Sequence, residues 1–127
     1  MNSCSWPVRK MWDFVADAVS KQLAFLETEY GFGAPQTRIS ARQCSVEFTK
    51  ENITVGVWSE YGTRPALFVK IGGKRVFINR LIAKRCPEMK CPVAASVFGR
   101  RFAEDDYNAL FAFFARVLRA HVRDVLS

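Results

Sequence analysis

The sequence predicts an α+β protein in which an antiparallel four- to five-stranded meander sheet lies between an N-terminal and a C-terminal helix. Apolar residues recur at helical spacing near both ends of the chain, whereas they alternate with polar residues from Thr37 to Asn79. At 127 residues, with 50% of them hydrophobic, the chain is long enough to bury a core. We therefore expect residues 1–127 to form a single α+β domain.

The first predicted helix covers about residues 6–30. Its apolar positions lie three or four residues apart: Val8, Met11, Trp12, Val15, Val19, Leu23, Leu26 and Tyr30. Gly31 is placed to end the helix in the left-handed conformation, with Phe32 folding back near Leu26. Gly33 and Pro35 then prevent the helix from continuing.

The strands are predicted within residues 37–79. Turns are expected at Gln43-Cys44, Glu51-Asn52, residues 62–65 and Gly72-Gly73, which are all short enough for antiparallel hairpins. About five strands in a meander follow from these breaks.

The parity of the last hairpin assigns residues to the two faces of the sheet. A two-residue Gly72-Gly73 turn pairs Ile71 with Lys74, so that Phe68 and Phe77 lie on the face opposite Ile71. Trp58 joins this second face, opposite either Phe68 or Lys70. The flanking cations are Lys70, Arg75, Arg38 and Arg42. If one helix covers each side of the sheet, the aromatic row is buried; a platform on which nucleic-acid bases stack is the alternative.

The connection and the last helix complete the chain. Residues 80–101 have no sustained period and contain Pro87 and Pro92, which predicts an irregular connection. A helix over about residues 104–126 opens on three acidic residues, as suits the positive end of a helix dipole. Its three arginines are expected in solvent, opposite the apolar face: Arg116, Arg119 and Arg123.

Positive charge is concentrated in one stretch, Lys70 to Arg101. Of the 19 Lys and Arg residues in the chain it holds nine, and of the 12 acidic residues only Glu88, so its net charge is +8. The remaining residues together carry −1, for a total of +7. A positive field of this kind attracts an acidic protein or a nucleic acid. The predicted interaction residues are Arg75, Arg80, Lys84, Arg85, Lys90, Arg100 and Arg101.

No catalytic, metal or cofactor site is predicted. Cys86 and Cys91 could hold zinc or form a redox pair, but their four-residue spacer and the absence of a second paired motif favour ordinary thiols. His121, the only histidine, is expected at the edge of the last helix's apolar face. The sequence contains no nucleophile or paired-carboxylate motif, so we expect no enzyme. No apolar run is long enough to span a membrane, and a cytoplasmic protein is expected.

Several motifs carry a resemblance to a known group of proteins. They are Phe25-Leu-Glu-Thr-Glu-Tyr-Gly-Phe32, Val46-Glu-Phe48, Ile53-Thr-Val-Gly-Val57 and Ala66-Leu-Phe-Val-Lys-Ile-Gly72. They resemble a widespread group of small uncharacterised bacterial α+β proteins with a Tyr-Gly-Phe turn, which look like immunity proteins of toxin systems. The resemblance covers residues 10–79 and, loosely, the closing helix. It implies a bacterial protein that binds another protein.

The combined expectation is a non-enzymatic, immunity-like bacterial binding protein that docks an acidic protein surface through its basic connection. The alternative is a nucleic-acid-binding domain that uses the same basic residues.

Overall fold

The structure is a computed structural model that describes residues 8–60, 64–78 and 104–122. Its helices are α1 (Val8–Gln22), α2 (Phe25–Tyr30) and α3 (Glu104–Val117), and α3 runs into a π-helical turn (Leu118–Val122). Its strands are β1 (Gln36–Ile39), β2 (Gln43–Lys50), β3 (Ile53–Glu60), β4 (Ala66–Ile71) and β5 (Lys74–Phe77). The strands form one antiparallel sheet in the order β1-β2-β3-β4-β5. The predicted α+β meander is confirmed.

The first helical region consists of two pieces, where the sequence predicted one helix over residues 6–30. At the junction, backbone hydrogen bonds join residues three apart instead of four apart. One of them runs from the Leu26 N–H to the Leu23 carbonyl, at 3.0 Å. Leu23, Phe25 and Leu26 are all buried. In a continuous helix Leu23 and Phe25 would point about 200° apart. The break therefore lets both side chains reach the core.

The end of α2 is the one that the sequence predicts. Gly31 has a φ of 76°, in the left-handed region that favours glycine. The N–H of Phe32 donates to the carbonyl of Leu26 at 3.0 Å, and the Phe32 side chain is buried. The left-handed glycine and the bond from Phe32 together fix where the chain leaves the helix.

The turns follow the predicted breaks with one correction. Gly72 and Gly73, with φ of 57° and 92°, form the two-residue turn between β4 and β5. The predicted break at Gln43-Cys44 is wrong, because the turn lies two residues earlier, over residues 41–42. The Ser40 N–H donates to the Gln43 carbonyl at 2.9 Å, and the Gln43 N–H donates to Ser40 Oγ at 3.2 Å. These bonds close the turn over the two residues between them, so Cys44 lies inside β2.

One face of the sheet, which we call the core face, forms the main hydrophobic core with the three helices. From the sheet the core takes Cys44, Val46, Phe48, Val55, Val57, Leu67 and Val69. The helices pack against each other, with the rings of Phe14 and Tyr107 6.3 Å apart, and the Cys44 thiol donates to the Trp12 carbonyl at 3.8 Å. The expected arrangement of one helix on each side is therefore wrong. In the described residues, α1 and α3 share one face.

The C-terminal helix changes character after Val117. The sequence predicted a regular helix to residue 126, but Leu118–Val122 form a π-helical turn. A π-helical turn holds more residues than an α-helical one and shifts the direction of the side chains that follow. Arg119 is therefore not a purely solvated side chain: its guanidinium binds both carboxylate oxygens of Glu29, at 3.1 and 2.8 Å, and lies 4.1 Å from the Phe25 ring centre. Arg116 is exposed as predicted, whereas Arg123 lies outside the described residues.

Within the described ranges, no helix has both the length and the apolar character that crossing a membrane requires.

Candidate functional site

The face of the sheet turned away from the helices, which we call the outer face, carries the candidate site. The pairing of the strands arranges its side chains in three rows. The first row is Arg38, Ser45, Trp58 and Ala66. The second is Gln36, Glu47, Gly56, Phe68 and Phe77. The third is Thr49, Thr54, Lys70 and Arg75. Trp58, Phe68 and Phe77 share this face, so the predicted aromatic row is confirmed.

Phe68 is almost completely buried, although no described helix covers it. A Cβ atom at Gly56 would lie 2.4 Å from the tip of the Phe68 ring, so the ring occupies the space that glycine leaves. The guanidinium of Arg75 stacks 4.6 Å from the ring centre, and Phe77 makes an edge contact at 6.2 Å. Phe68 is therefore 2% exposed within a small cluster of its own, separate from the main core.

Trp58 pairs with neither of the residues that the sequence predicted. It lies opposite Ala66, while Gly56 lies opposite Phe68. This register is favoured because only glycine leaves room for the Phe68 ring. On its other side Trp58 faces Ser45, so both cross-strand neighbours are small. The indole is consequently half-buried rather than enclosed.

A groove of about 300 Å³ lies over this face. Its lining is Arg38, Ile39, Ser40, Gln43, Ser45, Glu47, Trp58, Phe68 and Arg75. The small side chain of Ser45 lies between Arg38 and Trp58, which leaves a depression there. The groove combines two guanidinium groups, one carboxylate, hydroxyl and amide groups, and an indole. Such a surface can bind an anionic group next to a flat apolar one.

The electrostatics of the groove are positive. Arg38 and Arg75 line it from β1 and β5, the two edges of the sheet, and Glu47 is its one carboxylate. Among the residues that the structure describes, no carboxylate forms an ion pair with either arginine. Lys70 lies directly opposite Arg75 and adds a third cation beside the groove. An anionic group would therefore supply partners that the groove lacks.

Of the seven predicted interaction residues, only Arg75 lies in the described part of the chain. Arg80, Lys84, Arg85, Lys90, Arg100 and Arg101 lie outside it, as do Cys86 and Cys91. Arg38 and Lys70 occupy the outer face as expected, whereas Arg42 lies in the β1–β2 turn. The sequence reasoning missed Ser45 and Glu47. Their alternation along β2, out of phase with the buried Val46 and Phe48, would have placed them beside Trp58.

The cysteine on the core face has the properties of a structural residue. Cys44 is a buried free thiol. Burial, and secondarily the nearby charge of Asp13, raises the pKa of Cys44 to about 11. A thiol with so high a pKa is protonated near neutral pH and is a poor nucleophile or metal ligand. The described residues also contain no group of three His, Cys, Asp or Glu side chains that could hold a metal ion.

The chain matches no protein-family model, and comparisons with curated proteins and with solved structures likewise find no match.

Proposed function

We propose that this chain is a non-enzymatic protein-binding domain whose positively charged side docks an acidic protein surface. The observation that carries the proposal is the outer-face groove, in which Arg38 and Arg75 have no carboxylate partner among the described residues. Arg75 also belongs to the stretch from Lys70 to Arg101, whose net charge is +8. We propose the groove as the docking surface, with the basic residues predicted from the sequence, from Arg80 to Arg101, as further contributors to binding.

The composition of the groove suits a protein partner. Interface positions that contribute most of the binding free energy are enriched in Trp and Arg, which Trp58, Arg38 and Arg75 supply. Arginine pairs with carboxylates through two parallel hydrogen bonds, which fixes the orientation of the partner as well as its affinity. Serine and amide side chains at the rim can bind backbone groups.

Nucleic-acid binding is the second candidate function. The outer-face residues argue against a mode of binding in which bases stack on the aromatic row. Phe68 is 2% exposed and Arg75 covers its ring, so no base can stack on the middle of the aromatic row. Glu47 also places a negative charge in the groove, where it would repel a phosphate backbone. What remains in favour of nucleic acid is sequence-independent attraction by the cations and the half-buried indole of Trp58, on which a single base could stack.

The biological role that we propose is immunity-like: in the cytoplasm of a bacterium, the domain would bind and neutralise an acidic region of a toxin. The support is the resemblance of the Tyr-Gly-Phe turn and the strand motifs to that group, together with the buried free thiol of Cys44, which suits a reducing compartment.

Co-expression with the protein encoded immediately beside this chain tests the role. We expect the wild-type chain to bind that protein in calorimetry and to protect cells from it. Replacing Arg80, Lys84 and Arg85 by Glu should weaken both effects, whereas Lys21→Glu, on α1 away from the groove, should not. The nucleic-acid alternative is tested by titrating single- and double-stranded DNA and RNA at about 0.15 M salt. Nucleic-acid binding tighter than about 100 µM, without binding of the neighbouring protein, would overturn the proposal.

A further inference from the structure

The groove runs across the strands rather than along them. Arg38 lies on β1 and Arg75 on β5, with three strands between them. At about 4.8 Å per strand, the backbones of the two edge strands lie about 19 Å apart. Both side chains nevertheless line the same groove. The two positive charges therefore approach one space from opposite edges of the sheet.

Arg75 is held in a defined orientation before any ligand arrives. Its guanidinium stacks on the Phe68 ring at 4.6 Å, and Phe68 is itself fixed over Gly56 and against Phe77. A stacked guanidinium keeps the N–H groups at its edge available for hydrogen bonds. Because this arrangement exists in the free protein, less conformational entropy is lost when a carboxylate binds.

Trp58 lies between the two arginines as an apolar contact. Its cross-strand neighbours, Ser45 and Ala66, are both small, and the indole is half-buried. A partner side chain can therefore lie against the ring. An amphipathic anchor of this kind, flanked by cations, favours an apolar residue that has acidic residues on both sides of it.

We infer that an extended acidic segment of a partner protein lies across the strands in this groove. One carboxylate binds Arg38, another binds Arg75, and an apolar side chain between them packs against Trp58. A segment of about six residues spans the distance between the edge strands. Charge complementarity with Arg38 and Arg75 identifies the occupant as acidic. This inference rests on the proposed function, because it names the part of the partner that the domain would recognise.

The test uses a synthetic peptide of about eight residues, blocked at both ends, with acidic residues on both sides of a central Phe. A second peptide carries Asn and Gln in place of Asp and Glu. Binding is followed by calorimetry and by the fluorescence of Trp58, with Trp58→Phe as the reference for the optical signal. We expect the acidic peptide to bind at least about tenfold more tightly than its amide counterpart.

Two matched double variants locate the binding. Arg38→Glu with Arg75→Glu reverses both charges in the groove. Lys21→Glu with Lys74→Glu makes the same change of net charge, but Lys21 lies on α1 and Lys74 on the core face of β5, both exposed and outside the groove lining. We expect the groove variant to lose at least about tenfold in affinity for the acidic peptide and the control to lose less than about threefold. Circular dichroism checks that both double variants are folded. If the groove variant does not fold, Arg75→Lys, which keeps the charge, takes its place in the test. Arg75→Lys should bind the acidic peptide more weakly than wild type, because lysine cannot form the paired hydrogen bonds.

Three results would overturn the inference: no preference of the wild type for the acidic peptide, equal losses in the two double variants, or binding of oligouridylate at the groove in place of the peptide. The peptide assay needs no toxin, so its outcome is separate from that of the immunity role. The two proposals can also fail separately. Suppose that the neighbouring protein binds, and that the variant at Arg80, Lys84 and Arg85 weakens this binding whereas the groove variant does not. The proposed function then stands and the assignment of the groove fails.

Discussion

The two faces of the sheet bury aromatic side chains in different ways. On the core face, Phe48 and its neighbours are covered by α1 and α3, and burial continues across three strands, β2 to β4. On the outer face, the contacts of Phe68 within the described part of the chain come from the sheet: Gly56 below its ring, Arg75 stacked on it and Phe77 at its edge. Burial on the core face therefore depends on the helices packed against the sheet. Burial on the outer face depends on which residues the strand register places side by side. Only the second arrangement leaves a groove beside the buried ring.

The largest expected effect is on the core face. Phe48 is fully buried beneath the helices, so Phe48→Ala should lower the free energy of unfolding by about 3–5 kcal/mol, because it leaves a cavity that the fold cannot fill. The neighbouring Thr49→Ala, on the outer face, should change it by less than about 1 kcal/mol. Urea unfolding measures both. Similar costs at the two positions would mean that the faces are not as different as described.

The second prediction concerns pH and the dryness of the core face. Below the unfolded pKa of about 9, the Cys44 thiol is protonated in both states and its burial is not penalised. As the pH rises from about 9 to about 11, the unfolded chain loses this proton while the folded chain retains it, so the free energy of unfolding falls by up to about 2–3 kcal/mol. Unfolding of wild type and Cys44→Ala at several pH values isolates the effect, since tyrosine and lysine titrations are common to both. A difference between them that does not change with pH would show that water reaches the thiol.

The third prediction addresses the local packing on the outer face. In Gly56→Ala the new methyl group would meet the Phe68 ring, and we expect a loss of about 1–3 kcal/mol. In a Phe68→Ala background the same change should cost less than about 1 kcal/mol, because the ring is gone. Equal costs of Gly56→Ala in both backgrounds would show that the glycine is needed for another reason.

The smallest effect on the free energy of unfolding is expected at the ion pair between Arg119 and Glu29. This pair joins two helical segments and lies away from both faces of the sheet. Arg119 and Glu29 form two hydrogen bonds, but about half of each side chain is exposed, at 51% and 49%. A double-mutant cycle with Arg119→Ala and Glu29→Ala should give a coupling of about 1 kcal/mol or less. Arg119→Lys should lose most of it, because lysine has neither the paired donors nor the flat face that lies on Phe25. A coupling that persists in Arg119→Lys would mean that charge alone produces it.

Local rules in the sequence were enough to predict the order of the helices and strands. They also predicted which residues of the last hairpin lie on the same face of the sheet. Gly31 ends α2 because only a left-handed residue fits there, and Gly72-Gly73 turn for the same reason. Since each residue of a strand alternates sides, the glycine turn alone places Phe68 and Phe77 together.

The features that were missed depend on contacts between distant parts of the chain. The helix break at residues 23–24 arises because Leu23 and Phe25 are both buried. The apolar periodicity of a single helix does not predict such a break. The position of Trp58 opposite Ala66 follows from the fit of Phe68 over Gly56, a packing event between two strands. The groove itself requires the sizes of side chains on all five strands, and the contact of Arg119 with Phe25 joins two helical segments that lie far apart in the sequence.

The central claim is that the outer face, and not the core face, is the surface that binds an acidic partner. A titration of the ¹⁵N-labelled chain with the acidic peptide, followed residue by residue in ¹H–¹⁵N spectra, tests it most directly. The account predicts that the shifts concentrate at the groove, in Arg38, Ser45, Glu47, Trp58 and Arg75, and spare the exposed positions of α1, such as Lys21. Shifts spread evenly over the exposed lysines and arginines, or none at the groove, would contradict it.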